Sequence, residues 1–93
     1  MPEAVPYAVG SKTVAMAGTP EALTNRDIRC GAVVIVAKAT NTGVVYIVDP
    51  ATGDRFPSDG LAPGERVEVR VHDPRVVRVD VSVSGEGVDW MAV

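Results

Sequence analysis

The chain has a single histidine, His72, and it stands directly before Asp73 in the turn sequence "HDPR". A catalytic base of the Ser-His-Asp kind needs a carboxylate that orients its ring and a nucleophile within reach of the other ring nitrogen. Neighbouring residues of one turn rarely achieve that geometry, because their side chains diverge. We therefore predict His72 to be an exposed turn residue without a catalytic role.

Cys30 is the only cysteine and lies in the apolar run "IRCGAVVIVA". A reactive thiol needs solvent exposure and a base beside it, and the sequence offers neither. A small buried apolar side chain is the simpler interpretation of this position. With one cysteine, no disulfide within the chain is possible.

Metal ligands are equally sparse. One His and one Cys do not make a zinc site. Asp49 and Asp54 in "DPATGD" faintly resemble a calcium loop, but the ordered oxygen ligands of such a loop are missing. Turn aspartates usually accept hydrogen bonds from backbone N–H groups instead. We predict no metal, no cofactor and no enzymatic activity.

Trp90 is the only tryptophan and offers two alternatives. It could be a platform on which a sugar ring stacks, or a large side chain that fills the core. Burial of an indole removes much apolar surface from water, which favours the core.

The composition describes one small globular domain. The chain has 93 residues, 46% of them hydrophobic, and a net charge of −3 with both signs mixed along the sequence. No basic run exists, so we expect no nucleic-acid partner. The longest apolar stretch, residues 31–37, is too short to span a bilayer, and the first ten residues lack the features of a secretion signal. We expect no membrane partner.

Valine-rich strands separated by turns dominate the chain. Residues 66–71 and 77–83 alternate valine with polar residues, which is typical of strands with one solvated face. The inner part of residues 28–38 is apolar on both faces, and the segment predicts a central strand that is covered on both sides. We expect this strand to form an antiparallel pair with residues 44–48 through a turn at residues 39–43.

Two further segments have less regular patterns. Residues 12–17 predict a first strand with Val14 and Met16 on one face. Residues 49–65 are rich in turn residues and predict a long connection, in which Phe56 and Leu61 close one end of the core. The whole pattern has about seven short strands and no convincing helix. We predict an all-β fold, a small antiparallel β-sandwich of the jelly-roll or immunoglobulin-like kind, in residues 11–93.

The first ten residues predict an extended N-terminal arm. Val5, Tyr7 and Val9 alternate as in a strand, whereas Pro2 and Pro6 weaken strand pairing and limit the arm to an edge or extended role. Such an arm can lie on a neighbouring molecule or add to a sheet as an edge strand; a disordered tail is the alternative. We take Val5, Tyr7 and Val9 as candidate interface residues and expect a chain without residues 1–10 to fold but to assemble poorly.

The order of these segments resembles that of short virion proteins of tailed bacteriophages. The resemblance rests on "GTPEALT" at residues 18–24, the long valine segment at residues 30–49, "GLAPGE" at residues 60–65 and "GEGVDWMAV" at residues 85–93. It covers nearly the whole chain after the arm, and its motifs are turns and strands.

The resemblance implies a non-enzymatic β-sandwich of the virion: a capsid decoration or head-spike protein, a fibre-base protein or a tail accessory. It carries no catalytic residues. It also implies a homo-oligomer that docks on phage capsid or tail proteins, after assembly in the host cytoplasm. A small module that binds a carbohydrate or a host receptor is the alternative, and an accessory domain of an enzyme is a third.

Overall fold

A computed structural model of the protein describes residues 7–93; residues 1–6, and with them the candidate Val5, lie outside the described part. The described chain is all-β, and every strand pair is antiparallel. The strands are β1 (Ala8–Thr13), β2 (Glu21–Ala22), β3 (Val33–Ala37), β4 (Val45–Val48), β5 (Arg55–Leu61), β6 (Arg66–Val69), β7 (Arg78–Val81) and β8 (Gly87–Ala92). A short 3-10 helix, Pro74–Val76, lies between β6 and β7.

The strands form two sheets of four. Sheet A has the order β1-β8-β3-β6, and sheet B has the order β2-β7-β4-β5. Two four-stranded sheets in this order make up a jelly roll, the eight-stranded arrangement of two Greek keys. The prediction of a small antiparallel sandwich is confirmed, and of the two predicted kinds the strand order matches the jelly roll.

The core between the sheets is built from alternate residues of the strands. β3 contributes Val33 and Ile35, β7 contributes Val79 and Val81, and all four side chains are buried. β8 adds Trp90, which is buried among them, so the core interpretation of this tryptophan is confirmed. β-branched side chains suit this role because they pack well on a pleated surface.

β3 is an inner strand, as predicted, but two other predictions about it were wrong: that both of its faces are covered and that it pairs with β4. It pairs with β6 and β8, and its outward residues Val34 and Val36 are only half-buried, so just one face is fully covered. Its expected pairing with β4 does not occur, because β4 belongs to the other sheet. The connection crosses between the sheets, and buried Asn41 holds it there by donating to the Gly87 carbonyl (2.8 Å).

The segment predicted as a long connection contains β5, one of the two edge strands of sheet B. Pro57 and Gly60 conceal it in the sequence, since both residues are depleted in strands; an edge strand tolerates them because one side of its backbone needs no partner. Leu61 is buried as expected. Phe56 is exposed and does not close the core, which corrects its predicted role.

β1 begins earlier than predicted. It spans Ala8–Thr13 and pairs with β8 along its whole length, so residues 8–10 of the predicted arm form the edge strand of the chain's own sheet. Because the strand ends before Val14, the expected alternation of Val14 and Met16 fails: Val14 is buried and Met16 is exposed.

Candidate functional site: an apolar face of sheet A

Of the three predicted interface residues, Val9 lies on the outer face of sheet A, and Tyr7 directly precedes its strand. Val9 of β1 is opposite Met91 of β8, and Met91 is opposite Val34 of β3, so these three outward side chains form a row across the sheet. Side chains that are directly opposite on one face approach within about 5 Å of each other at Cβ. The row is therefore a continuous apolar strip.

Tyr7 and Val93 extend this strip towards the chain termini. Tyr7 directly precedes β1 and Val93 directly follows β8, and both side chains are exposed; continuation of the strand alternation by one residue would put them on the same face as Val9 and Met91. The backbone of Val93 continues the sheet, since its N–H donates to the Ala32 carbonyl (2.9 Å). We call Tyr7, Val9, Val34, Met91 and Val93 the apolar face of sheet A.

The apolar face is well exposed. The exposed fractions are 63% for Tyr7, 58% for Val9, 47% for Val93 and 38% for Met91. These are four of the eight large hydrophobic residues that are exposed within residues 7–93. Isolated exposed apolar residues are ordinary, whereas a contiguous group marks an interaction surface.

Polar side chains border the apolar face in the next row of the sheet. Ser11, Asp89 and Arg66 share that row with Val36. The Ser11 hydroxyl donates to Asp89 Oδ1 at 2.6 Å, and Lys38 Nζ lies 4.0 Å from the same oxygen. An apolar centre with a polar rim is the usual composition of a protein–protein interface.

The free edge of β1 is partly covered. Arg26 Nη1 donates to the Val9 carbonyl at 3.3 Å, and the Glu21 carboxylate accepts from the Ala15 N–H at 2.8 Å just beyond the strand. Such contacts discourage another strand from pairing with the edge. The edge of β1 is therefore less accessible to another strand than its outer face.

The outer face of sheet B carries a buried carboxylate. Asp80 Oδ1 accepts from the N–H groups of Val81 (2.8 Å) and Gly18 (3.0 Å), and Oδ2 accepts from Arg55 Nη2 at 3.3 Å. The Arg55 guanidinium lies 4.7 Å from the ring centre of Tyr46. Because Asp80 alternates with core valines, the sequence predicts that its side chain is solvated. In the structure the loop that contains Gly18 covers this side chain instead. No pattern in the sequence near Asp80 indicates that the loop lies there.

The residues that the sequence offered for catalysis or metal binding either make structural hydrogen bonds or, in the case of His72, are exposed. Asp73 caps the 3-10 helix and binds the Arg75 side chain, whose hydrogen bonds hold the pKa of Asp73 below its ordinary value. Burial raises the pKa of the Cys30 thiol, which donates to the Val71 carbonyl at 3.1 Å. His72 is exposed, and Asp49 Oδ1 accepts from the Ala51 N–H at 2.8 Å within its turn.

Glu86 is a structural residue that the sequence does not reveal. Its carboxylate accepts from the N–H groups of Gly43 (2.9 Å) and Thr42 (2.7 Å) and from the Thr42 hydroxyl (2.8 Å). The hydrogen bond from Gly43, followed by that from the Thr42 backbone, lowers the pKa of Glu86. This carboxylate ties the β3–β4 crossing to the turn before β8, a contact between segments more than forty residues apart.

Within residues 7–93, no group of three or more His, Cys, Asp or Glu side chains is arranged to hold a metal ion. In the same part of the chain, no helix has the length and apolar character needed to cross a membrane.

Comparisons with protein-family models, with curated proteins and with solved structures found no match for this chain.

Proposed function

We propose that the protein is a non-enzymatic structural protein of a bacteriophage virion, of the capsid-decoration or head-spike kind, which docks on the particle as an oligomer. The apolar face of sheet A is the observation that carries this proposal. It gives one side of the molecule an apolar centre with a polar rim.

The fold supports the proposal at a coarser level. Viral capsid domains include jelly rolls, but lectins and cupins share the same arrangement, so a fold by itself does not specify a function. The alternative of a sugar-binding module loses its main support, because Trp90 is buried in the core and presents no ring face to a sugar. We therefore retain a single proposal.

The energetics favour docking through several copies. Full burial of a large apolar side chain contributes about 1.5–3 kcal/mol, and Tyr7, Val9, Met91 and Val93 are already partly covered. Association also costs translational, rotational and side-chain freedom. One copy therefore binds weakly, and linked copies gain affinity because the second contact is made at a high effective concentration.

Replacement of the apolar face by charge tests the proposal. We expect the double variant Val9→Asp with Met91→Asp to bind at least about tenfold more weakly, because it loses two apolar contacts and buries two unpaired charges. The measurement is binding of purified protein to particles of the phage whose genome carries the coding sequence, assembled without this protein. Neighbouring genes for a major capsid protein identify that phage.

The control is Val83→Asp, which places a charge at an exposed valine in the turn between β7 and β8. It should bind like the unaltered protein. Equal binding of the double variant and the control would refute docking through the apolar face, and absence of the unaltered protein from complete particles would refute the virion function itself.

A further inference from the structure

Among the edge strands of the two sheets, β6 has the free edge that is most open to another strand. The edge of β1 is partly covered by Arg26, and β2 has only two residues. β5 contains Pro57 and an irregularity in its pairing with β4. Cover, shortness, proline and irregular pairing all protect the edge of a sheet from a further strand. β6 contains no proline and pairs regularly with β3.

The backbone of β6 presents every second residue to this free edge. The Ala37 N–H donates to the Glu65 carbonyl at 2.9 Å, one residue beyond the pair of Val36 and Arg66. In an antiparallel pair only alternate residues of a strand bond to a given neighbour. The N–H and C=O groups of Arg66 and Glu68 therefore point away from β3, and no backbone hydrogen bond found within residues 7–93 involves them.

The side chains of residues 66–71 alternate between two faces. The outer row is exposed and consists of Arg66, Glu68 and Arg70. Arg70 Nε lies 3.7 Å from Glu68 Oε2, which shows that these two side chains share one face. The inner row is half-buried against the core and consists of Val67, Val69 and Val71. The segment therefore has a charged face and an apolar face.

The charged face limits how two copies of the segment can pair. In an antiparallel pair around a two-fold axis, each register sets one residue opposite itself. If Glu68 were opposite itself, Arg66 would also be opposite Arg70. Like charges that are directly opposite destabilise a strand pair. This register is therefore unfavourable.

A register with Val69 opposite itself is favourable on both faces. Glu68 of each copy then lies opposite Arg70 of the other, so opposite charges meet twice on the outer face. On the inner face Val67 lies opposite Val71, so valine meets valine throughout. Cross-strand pairs of both kinds stabilise a sheet.

The neighbouring register is less favourable. With Val67 opposite itself, Arg66 would meet Glu68 on the outer face. On the inner face, however, Val69 would meet Glu65, which puts a carboxylate beside apolar surface. The pattern of charges and valines therefore selects Val69 as the centre of the pair.

An open groove beside β6 gives a second copy apolar surface to cover. It lies between the sheets on the side of β5 and β6, has a volume of about 600 Å³, and includes Phe56, Val69 and Val76 in its lining. Phe56 is 62% exposed and Val76 is 55% exposed. In the pair centred on Val69 the valines of both copies stay on the inner side, so the two-fold axis is perpendicular to sheet A. The grooves of the two copies then face each other across that axis.

We propose that two copies of the chain pair through β6 in antiparallel orientation, with Val69 opposite itself and Glu68 opposite Arg70. The pairing joins their two A sheets into one, and the contact is isologous. It deepens the oligomer of the proposed function and rests on that function in one respect. The apolar faces of sheet A lie on the same outer side of the joined sheet, where both can contact one particle.

The contact is small, because one short strand and the border of a groove form it. We therefore expect a weak dimer, below the size class of stable interfaces. It is monomeric in dilute solution, where unfolding measurements report on a single copy. It forms when copies are concentrated, as they are when bound side by side on a particle.

Disulfide crosslinking of single-cysteine variants tests the register. In a Cys30→Ala background, Val69→Cys places two cysteines opposite each other at a non-hydrogen-bonded position. The Cα atoms of such a pair are about 4.5 Å apart, which suits a disulfide. The matched control is Val67→Cys, which replaces another half-buried valine of the same strand and face. In the proposed register its two copies are about 13 Å apart along the strands.

We expect Val69→Cys to form the disulfide dimer at least about tenfold faster than Val67→Cys in concentrated protein, because pairing raises the effective concentration of the two thiols. Equal rates would overturn the proposal. Faster crosslinking of Val67→Cys would also overturn it, because Arg66 rather than Arg70 would then pair with Glu68.

A charge exchange tests the outer face without any substituted cysteine. Glu68→Arg sets arginine opposite arginine, and Arg70→Glu sets glutamate opposite glutamate. Each single variant should therefore dimerise several-fold more weakly in sedimentation equilibrium. Both residues are exposed, so the fold should tolerate the changes.

The double variant Glu68→Arg with Arg70→Glu is the control for this exchange. It restores opposite charges across the pair and keeps the net charge of the chain, so it should dimerise like the unaltered protein. Failure of the double variant to recover the dimer would overturn the proposal. So would an unaltered chain that stays monomeric at about 1 mM.

The outcome is separable from that of the proposed function. If Val69→Cys crosslinks as expected while the unaltered protein is absent from complete particles, the dimer stands and the virion function is wrong. If Val9→Asp with Met91→Asp abolishes particle binding while Val69→Cys crosslinks no faster than Val67→Cys, the docking surface stands and this inference is wrong.

Discussion

At the residue scale, several side chains owe their roles to partners far along the chain. Gly10 is opposite Trp90, and the indole lies against the Gly10 backbone. Asp80 is buried by a loop, and Glu86 holds the β3–β4 crossing. The size of Trp90 predicted its burial. None of these three contacts could be predicted from the sequence, because each depends on which strands become neighbours.

Replacement of Gly10 by alanine should destabilise the fold. A Cβ at residue 10 would lie 2.6 Å from Trp90 Cζ2 and 2.7 Å from Cε2, so the buried indole must move. Overpacking of this kind costs about 1–3 kcal/mol. The measurement is the free energy of unfolding from urea denaturation.

Gly31→Ala is the matched control for that change. A Cβ at residue 31 lies no closer than 3.7 Å to the nearest atom, which is an ordinary contact. Equal unfolding free energies of the two variants would show that the Gly10–Trp90 contact is not tight.

Glu86 should make the stability depend on pH. Its folded pKa lies below the ordinary value of 4.5, so folding favours the charged form. The resulting stabilisation is present above pH 4.5 and is lost as the pH falls through the folded pKa. Glu86→Gln should therefore lower the melting temperature at about pH 7, and the difference should shrink at about pH 3.

The control for the pH effect is Glu68→Gln on β6, an exposed carboxylate whose nearest ion-pair partner, Arg70, is itself exposed. It should alter the melting temperature little at either pH, because exposed ion pairs contribute little. A difference between Glu86→Gln and the unaltered protein that stays constant from neutral to acidic pH would contradict the role of the carboxylate charge.

At the scale of the elements, alternation predicts which residues of a strand face inward but not which strand lies beside it. Valine on every second residue identified β6 and β7, whereas the predicted pairing of β3 with β4 was wrong because consecutive strands of a jelly roll mostly lie in opposite sheets. β5 was missed because its proline and glycine resemble a loop. Val9 was found from alternation, but its neighbour Met91 follows only from the β1–β8 pairing.

The bounds of β1 change the expected effect of truncation. A chain without residues 1–6 should unfold at the same urea concentration as the full chain, since β1 begins at Ala8. A chain without residues 1–10 loses half of β1 and the buried Ala8. With about 1 kcal/mol for each lost backbone hydrogen bond, we expect a loss on the order of 2–3 kcal/mol.

Urea denaturation of both truncated chains checks this expectation. Equal stability of the two would mean that the start of β1 contributes nothing to the fold, and the edge strand would then begin after residue 10.

At the scale of the whole molecule, two apolar surfaces lie on different sides of one sandwich. The apolar face of sheet A includes Val9 and Met91, and a groove lined by Phe56, Val69 and Val76 lies between β5 and β6 at the other side edge. The sequence predicts an oligomer through its N-terminal segment, whereas both apolar surfaces become visible only when the two sheets are in place.

The position of β8 has a consequence for the order in which the chain can fold during synthesis. β8 lies between β1 and β3 in sheet A and follows both in the chain. Until residues 87–92 have been made, β1 has no partner in its sheet, because β8 is the strand that pairs with it. The valines of β3 also lack β8, which lies between β3 and β1 in the finished sheet. Sheet A therefore closes only after its last strand has left the ribosome, and until then the nascent chain exposes apolar strands that a chaperone can bind.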